Sequence, residues 1–203
     1  SDVTLESIDD KGIDVNDPGL DLSSELVIQN VDIDGINDAT GIHVREGSAL
    51  ERLSLTNAAV NDTGTSPGID IGADADYETV DLTNVKSTNN SNQGILIHDG
   101  STLTISGQAT LNDITVDDNG GTGLDIDSVN ADISIDGLSA DSSSGQGVHL
   151  DASGSADYGT VYVTNIVAND TGVGLDADAD GFASGDSITV TNSAFTNNSG
   201  QGV

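Results

Sequence analysis

Aliphatic residues recur along this chain in short alternating segments that each follow a glycine. Every segment has the form glycine, aliphatic, variable, aliphatic, and the segments return at intervals of 24 to 30 residues. They read GIDV from Gly12, GIHV from Gly41, GIDI from Gly68, GILI from Gly94, GLDI from Gly123, GVHL from Gly147 and GVGL from Gly172. Alternation with a period of two predicts a short β-strand with one buried face.

A second alternating element lies inside each repeat and closes on a small residue, usually a polar one. It reads LVIQN, LSLTN, VDLTN, ATLND, ISIDG, VYVTN and ITVTN. A third, weaker element follows directly, as in VDI from Val31. The pattern therefore predicts three short strands per repeat of about 27 residues. In the fourth repeat, STLTISG from Ser101 offers a competing apolar pair, and we favour Ala109 and Leu111 for the strand.

A strand that returns in the same direction about every 27 residues predicts stacked coils rather than hairpins. Coils stacked this way pair their strands in parallel, at roughly 4.8 Å. The aliphatic positions of the first element then form two internal columns. One is Ile13, Ile42, Ile69, Ile95, Leu124, Val148 and Val173, and the other is Val15, Val44, Ile71, Ile97, Ile126, Leu150 and Leu175.

The residue that closes the second element is expected to make a bend and a ladder. Asparagine tolerates left-handed backbone angles, and its amide can hydrogen-bond the amide one coil away. The expected ladder is Asn30, Asn57 and Asn84, continued by Asn165 and Asn192. Asp113 and Gly137 occupy the same place and are expected to interrupt it.

The repeat, with VTN and NNSGQGV inside it, resembles right-handed parallel β-helix repeat proteins of the pectate-lyase-like superfamily. The resemblance covers essentially all 203 residues. It implies an all-β fold, a right-handed parallel β-helix of about seven coils, in a single domain spanning residues 1–203. The family includes pectate lyases, polygalacturonases, alginate epimerases, phage tailspikes and surface adhesins, so the fold does not select a function. In character the chain is closest to the surface and adhesin members.

Charge narrows the function. The formal net charge of −31 repels nucleic acid phosphates and anionic lipid, so nucleic acid is excluded as a partner. No apolar run approaches the roughly 20 residues of a membrane helix, so membrane insertion is not expected. Clustered carboxylates suit either halophilic solvation in brine or a calcium-dependent surface protein. Both interpretations place the protein outside an ordinary low-salt cytoplasm. We favour an extracellular or cell-surface location, with the cytosol of a brine-adapted organism as the alternative.

The outward positions of the first element carry the candidates for catalysis. In the family's enzymes, carbohydrate lies across the outer face of one sheet, and the matching positions here include Asp125, Asp127, His149 and Asp151. The N-T-D, G-H-G and R-I-K signatures of polygalacturonase-like enzymes have no counterpart in this chain. We therefore favour a solvated outer face without catalysis, and keep a carbohydrate-active β-helix that binds or cleaves glycan as the alternative.

The segment DADADG from Asp176 resembles the opening of a calcium loop. An EF-hand is excluded, because its twelfth position is Ser187 rather than glutamate and strands flank the loop. Asp176 is instead expected to point outward beside Asp151 of the previous coil. The candidate ligands for one Ca²⁺ ion are Asp151, Asp176, Asp178, Asp180 and Asp186.

Two further features concern the turns and the ends. Asn61, Asn89, Asn169 and Asn197 begin N-glycosylation acceptor triplets in what reads as one exposed turn.

The chain starts and stops inside coils, which predicts a segment of a longer rod or a subunit that associates end to end. The sequence thus favours an extracellular structural or adhesive module, namely a rigid spacer, an adhesin or a filament component, with a glycan or cell-surface ligand as candidate partner.

Overall fold

The computed structural model describes residues 3–6, 12–15, 25–37, 39–44, 50–72, 76–98, 104–127, 131–151, 159–178 and 187–203. Every helix or strand element among these residues is a strand. The strands are β1 (Val3–Glu6), β2 (Ile13–Val15), β3 (Glu25–Ile36), β4 (Ile42–Val44), β5 (Leu50–Thr63), β6 (Ile69–Gly72), β7 (Asp76–Thr88), β8 (Ile95–His98), β9 (Thr104–Thr115), β10 (Leu124–Asp127), β11 (Asp132–Ser139), β12 (Gln146–Asp151), β13 (Thr160–Asn169), β14 (Val173–Ala177), β15 (Ser187–Thr191) and β16 (Ala194–Thr196).

The strands form two sheets in which successive coils pair in parallel. A nine-stranded sheet runs β1-β3-β5-β7-β9-β11-β13-β15, with β16 also on β13, and a seven-stranded sheet runs β14-β12-β10-β8-β6-β4-β2. The fold is an all-β parallel β-solenoid, as predicted, of about five turns. The predicted number of seven coils was slightly too high. The right-handed winding stays a prediction.

The second and third sequence elements join into one long strand in most coils, so the expected three short strands become two sheet segments. Asn30 lies in the middle of β3 with a φ of 54°, and Asn57 and Asn84 hold the same left-handed conformation in β5 and β7. The bend persists where the ladder residue changes, at Asp113 with a φ of 55° and at Gly137 with a φ of 75°. The parallel pairing skips the bend residue itself and resumes in the same register on the other side of it.

In the described residues, a second left-handed position follows each first one after five residues. It comes at Gly35, Asp62, Asn89, Asp118, Ser142, Asp170 and Asn197. Glycine, asparagine and aspartate tolerate these angles best, which accounts for the choice of residue at six of the seven places. The sequence shows this position only as a polar turn, and its role as a regular second bend was not predicted.

The interior is an aliphatic stack, and the register confirms most of the predicted columns. Ile69, Ile95 and Leu124 are fully buried and lie in register across β6, β8 and β10. The last coil was predicted wrongly. Val148 pairs with Leu175 rather than Val173, so GLDA from Gly174, not GVGL from Gly172, continues the repeat.

The extra residues of the fourth coil are absorbed where β7 meets β9. Tyr77 pairs with Ile105, whereas Thr79 pairs with Gln108, so the register shifts between them. After this irregularity, Ala109 and Leu111 are buried in the core, as predicted. An insertion taken up as a local bulge leaves the stacking on either side unchanged.

Candidate functional site

The outer face of the seven-stranded sheet carries hydrogen-bonded histidine and aspartate pairs between coils. In the C-terminal half, His149 Nδ1 lies 2.8 Å from Asp125 Oδ1, and the register places Asp176 on the other side of His149. Asp127 and Asp151 are register partners two residues farther along the same strands. The four residues named as candidates for the alternative, enzymatic function therefore lie on one face of two adjacent strands, β10 and β12.

The N-terminal half of the same face holds a second, more deeply buried group. His43 Nδ1 lies 2.6 Å from Asp14 Oδ1, and its Nε2 lies 3.8 Å from Asp70 Oδ2. His98 Nε2 reaches the other oxygen of Asp70 at 3.0 Å. His43 and Asp70 are each only 4% exposed. The expectation of a solvated outer face is wrong at these two residues.

A glycine makes room for this second group. A Cβ at Gly72 would lie 2.9 Å from His98 Cδ2, so the imidazole lies directly over the Gly72 backbone. Gly72 and His98 are register partners, and the missing side chain lets the ring lean toward Asp70. The buried Tyr77 hydroxyl belongs to the same region: burial, with a smaller contribution from the charge of Asp70, raises the pKa of Tyr77.

The register correction changes the predicted calcium site. Asp176 lies beside His149, not beside Asp151, because the repeat continues two residues later than expected. Asp178 is exposed, and its backbone amide donates to the Leu150 carbonyl at 2.9 Å. Asp180 and Asp186 lie outside the described residues. Within the described ranges, no group of three or more histidine, aspartate or glutamate residues is arranged to hold a metal ion. Calcium binding stays a prediction.

Geometry alone must identify this site. Protein-family models, curated proteins and solved structures give no match to the chain. In the part of the chain that the structure describes, no helix has the length and apolar character required to cross a membrane.

The glycosylation triplets have a structural explanation. In NDT from Asn61, the asparagine faces outward, Asp62 makes the second bend and Thr63 is buried. NNS from Asn89 is shifted by one residue, so that Asn89 itself makes the bend. Asn169 repeats the first arrangement and Asn197 the second. The four asparagines thus occupy two positions rather than one, and glycosylation stays a prediction.

A column of buried polar side chains runs inside the turn, and the sequence analysis missed it. Asn90 Oδ1 accepts from Thr63 Oγ1 at 2.9 Å, and Asn90 Nδ2 donates to Asn119 Oδ1 at 3.0 Å. Thr171 and Asn198 repeat the arrangement at the C-terminal end, where Asn198 Oδ1 accepts from Thr171 Oγ1 at 2.8 Å. The signal in the sequence was a threonine, asparagine or serine directly after six of the seven second bends, with Ile36 after Gly35 as the exception. Such a residue forms its hydrogen bond with a residue about 27 positions away, in the next coil, rather than with solvent.

The pair of His149 and Asp125 predicts a pH dependence of stability. The hydrogen bond from His149 to Asp125 raises the pKa of His149, and the charges of Asp125, Asp176 and Asp151 add to it against an opposing desolvation. A raised folded-state pKa contributes stability that is fully present below the unfolded-state pKa and is lost as pH rises through the folded value. Denaturant unfolding of wild type and His149→Gln should therefore differ more at pH 5 than at pH 9. An equal difference at both pH values would show that the pair contributes no pH-dependent stability.

Proposed function

We propose that the chain is a rigid structural or adhesive β-solenoid module displayed outside the cell. The observation that carries the proposal is that polar side chains form hydrogen bonds from one coil to the next. Asn57 donates to Asn30 at 3.1 Å and Asn84 to Asn57 at 2.8 Å, which supports the predicted ladder at these three coils. The histidine and aspartate side chains that could act in catalysis also contact residues of neighbouring coils. Such contacts between coils stiffen a rod.

The ladder is modified rather than abolished where the closing residue changes. Gly137 has no side-chain oxygen to accept the ladder hydrogen bond, so Asn165 Nδ2 donates instead to Asp136 Oδ1 at 2.6 Å. A parallel outer ladder lies four residues after the first bend, where Asn61 Nδ2 donates to Asp34 Oδ1 at 2.9 Å and Thr88 Oγ1 donates to Asn61 Oδ1 at 3.0 Å. Two ladders, four residues apart along the same strands, thus tie successive coils together.

The charge supports the extracellular part of the proposal and predicts a salt dependence. With 35 acidic side chains against 4 basic ones, self-repulsion opposes the folded state at low salt. We expect the melting temperature to rise in molar sodium chloride, as the Debye length falls to roughly 3 Å. A further rise in millimolar calcium at fixed ionic strength, reversed by chelator, would support specific calcium sites. A melting temperature that does not respond to either would contradict the charge argument.

A carbohydrate-active role is the second candidate, and the row on β10 and β12 favours it. His149 is half-buried, paired with Asp125 and next to the carboxylates of Asp127 and Asp151. Neighbouring carboxylates and a histidine with a raised pKa are the groups that general acid and base catalysis uses.

A glycan panel assayed for both binding and cleavage discriminates the two candidates. The structural or adhesive proposal predicts binding without turnover, or neither. Turnover that is lost in Asp125→Asn and His149→Gln would overturn it in favour of the enzyme. Asp170→Asn is the matched control, because it removes the same charge at an exposed left-handed position that asparagine also tolerates.

A further inference from the structure

The three histidines of the chain differ in which ring nitrogen is engaged. The Nδ1 atom of His149 lies 2.8 Å from Asp125 Oδ1, and its Nε2 atom has no hydrogen-bond or ion-pair partner among the described residues. The Nε2 atoms of His43 and His98 both lie near Asp70, at 3.8 Å and 3.0 Å. His149 is therefore the histidine whose outer nitrogen is available to a ligand.

The contact with Asp125 determines where the proton lies on the His149 ring. An ionised carboxylate only accepts hydrogen bonds, so the Nδ1 atom of His149 must donate. A neutral His149 then carries its one proton on Nδ1 and a lone pair on Nε2. The His149 side chain is 24% exposed, whereas His43 is buried, so a ligand can reach the His149 ring.

The second oxygen of Asp125 is held from the preceding coil. Gln93 Nε2 donates to Asp125 Oδ2 at 3.5 Å, while Asp125 Oδ1 accepts from His149. A carboxylate that is held at both oxygens keeps its orientation, and it then orients the imidazole to which it is bonded. Gln93 thus acts on His149 through Asp125.

The amide of Gln93 is only half satisfied. Its Oε1 atom is buried and accepts no hydrogen bond from the described residues. Gln146, in the equivalent place before Gly147, is satisfied at both ends, because its Nε2 donates to Asp176 Oδ2 at 3.4 Å and its Oε1 accepts from Thr122 at 2.9 Å. A buried acceptor without a donor costs free energy, and such local costs are typical of functional sites.

We propose that His149 Nε2 is the proton-accepting atom of the carbohydrate-active site, and that Gln93 is its positioning residue. This inference rests on the carbohydrate-active candidate of the proposed function. A water molecule gives a proton to Nε2, and the water oxygen, which keeps the electron pair, attacks the anomeric carbon of a glycan. The C–O bond to the leaving sugar breaks, and the leaving oxygen takes up a proton from solvent. The glycan is neutral, because a net charge of −31 repels anionic chains.

Nitrogen-15 NMR of the His149 ring, assigned with His149→Gln, tests the positioning. In the neutral wild-type ring we expect the proton on Nδ1. Gln93→Leu should lower the ratio of the Nδ1–H to the Nε2–H tautomer about fivefold. Its midpoint of urea unfolding should change little, because leucine also removes the unmatched Oε1 atom. A purely structural glutamine predicts the reverse, a loss of stability with the tautomer ratio unchanged.

Gln146→Leu is the matched control, since it releases Asp176 rather than Asp125 and should leave the tautomer ratio unchanged. A wild-type ring protonated on Nε2, or an equal ratio in wild type and Gln93→Leu, would overturn the positioning.

The glycan panel separates this inference from the proposed function on which it rests. Turnover that is lost in His149→Gln and that falls in Gln93→Leu with KM unchanged would support both. Turnover that persists in His149→Gln would overturn the role of Nε2 and leave a carbohydrate-active solenoid. No turnover in wild type would overturn the carbohydrate-active function itself, whatever the tautomer of His149.

Discussion

Replacing Asn90 by leucine is expected to lower the free energy of unfolding by about 2–4 kcal/mol. Asn90 is 1% exposed, and its amide accepts from the Thr63 backbone at 3.1 Å and donates to Ser87 Oγ at 3.0 Å. Leucine has a similar shape but leaves these buried donors and acceptors unmatched. Urea denaturation of the purified chain measures the loss.

Asn90→Thr is the matched control for this change. Thr63 and Thr171 occupy the same column in other coils, so a hydroxyl is compatible with the position. We expect Asn90→Thr to lose less stability than Asn90→Leu. If the leucine variant were as stable as wild type, the buried column would not stabilise the solenoid.

Replacing Gly68 by alanine is the second change with a large expected effect, a loss of about 2–3 kcal/mol. An added Cβ would meet Ser87 Oγ, lie 2.6 Å from Asn90 Nδ2 and lie 2.9 Å from the Gly94 carbonyl oxygen. These neighbours are buried and bonded to one another, so none can move away at low cost. Thermal or urea unfolding of the variant gives the magnitude.

Gly202 supplies the control, because it continues the same glycine column. A Cβ there would meet Phe195 at 3.5 Å, an ordinary contact. Gly202→Ala should therefore leave stability nearly unchanged. Equal losses at both glycines would mean that the close approach of coils at Gly68 is not what requires a glycine.

The repeat contains enough local information to predict the architecture of the chain. The alternation at Ile69 and Ile71 predicted strands, because burial of one face imposes a period of two. The return of the glycine-led strand about every 27 residues predicted their parallel stacking. The choice of Ala109 and Leu111 also succeeded, since only that pair keeps the coil aligned after the insertion. Local pattern therefore predicted the architecture and most of the register.

The register of the last coil could not be chosen from the pattern. Gly172 and Gly174 are two residues apart and both precede an aliphatic residue, so either could continue the repeat with the same residues facing inward. Packing decides, because Gly174 stacks in the glycine column, where its added Cβ would lie 2.7 Å from Phe195 Cδ1. That contact joins residues of two different strands, so the local sequence pattern does not reveal it. The predicted neighbour of Asp176 was wrong for this reason.

The buried polar column and the histidine pairs were missed for a related reason. Polar residues in a turn are usually solvated, and the partner that buries Asn90 lies 29 residues away, in the next coil. His43 lies on the outer face of the glycine-led strands, which was expected to be solvated as a whole. Its burial depends on packing around that face, which the alternating pattern does not describe.

Distances between pairs of spin labels along one column test the central claim most directly. The chain has no cysteine, so cysteines for labelling can be introduced without background. Gln29, Thr56, Thr83, Asn112, Asp136, Thr164 and Thr191 form one outward column in register. A label at Thr191 paired in turn with labels at Thr83, Thr56 and Gln29 should give distances of about 19, 24 and 29 Å. A constant increment of about 5 Å per coil is the result that a ladder-stabilised parallel solenoid predicts, and distances that fail to increase along the series would contradict it.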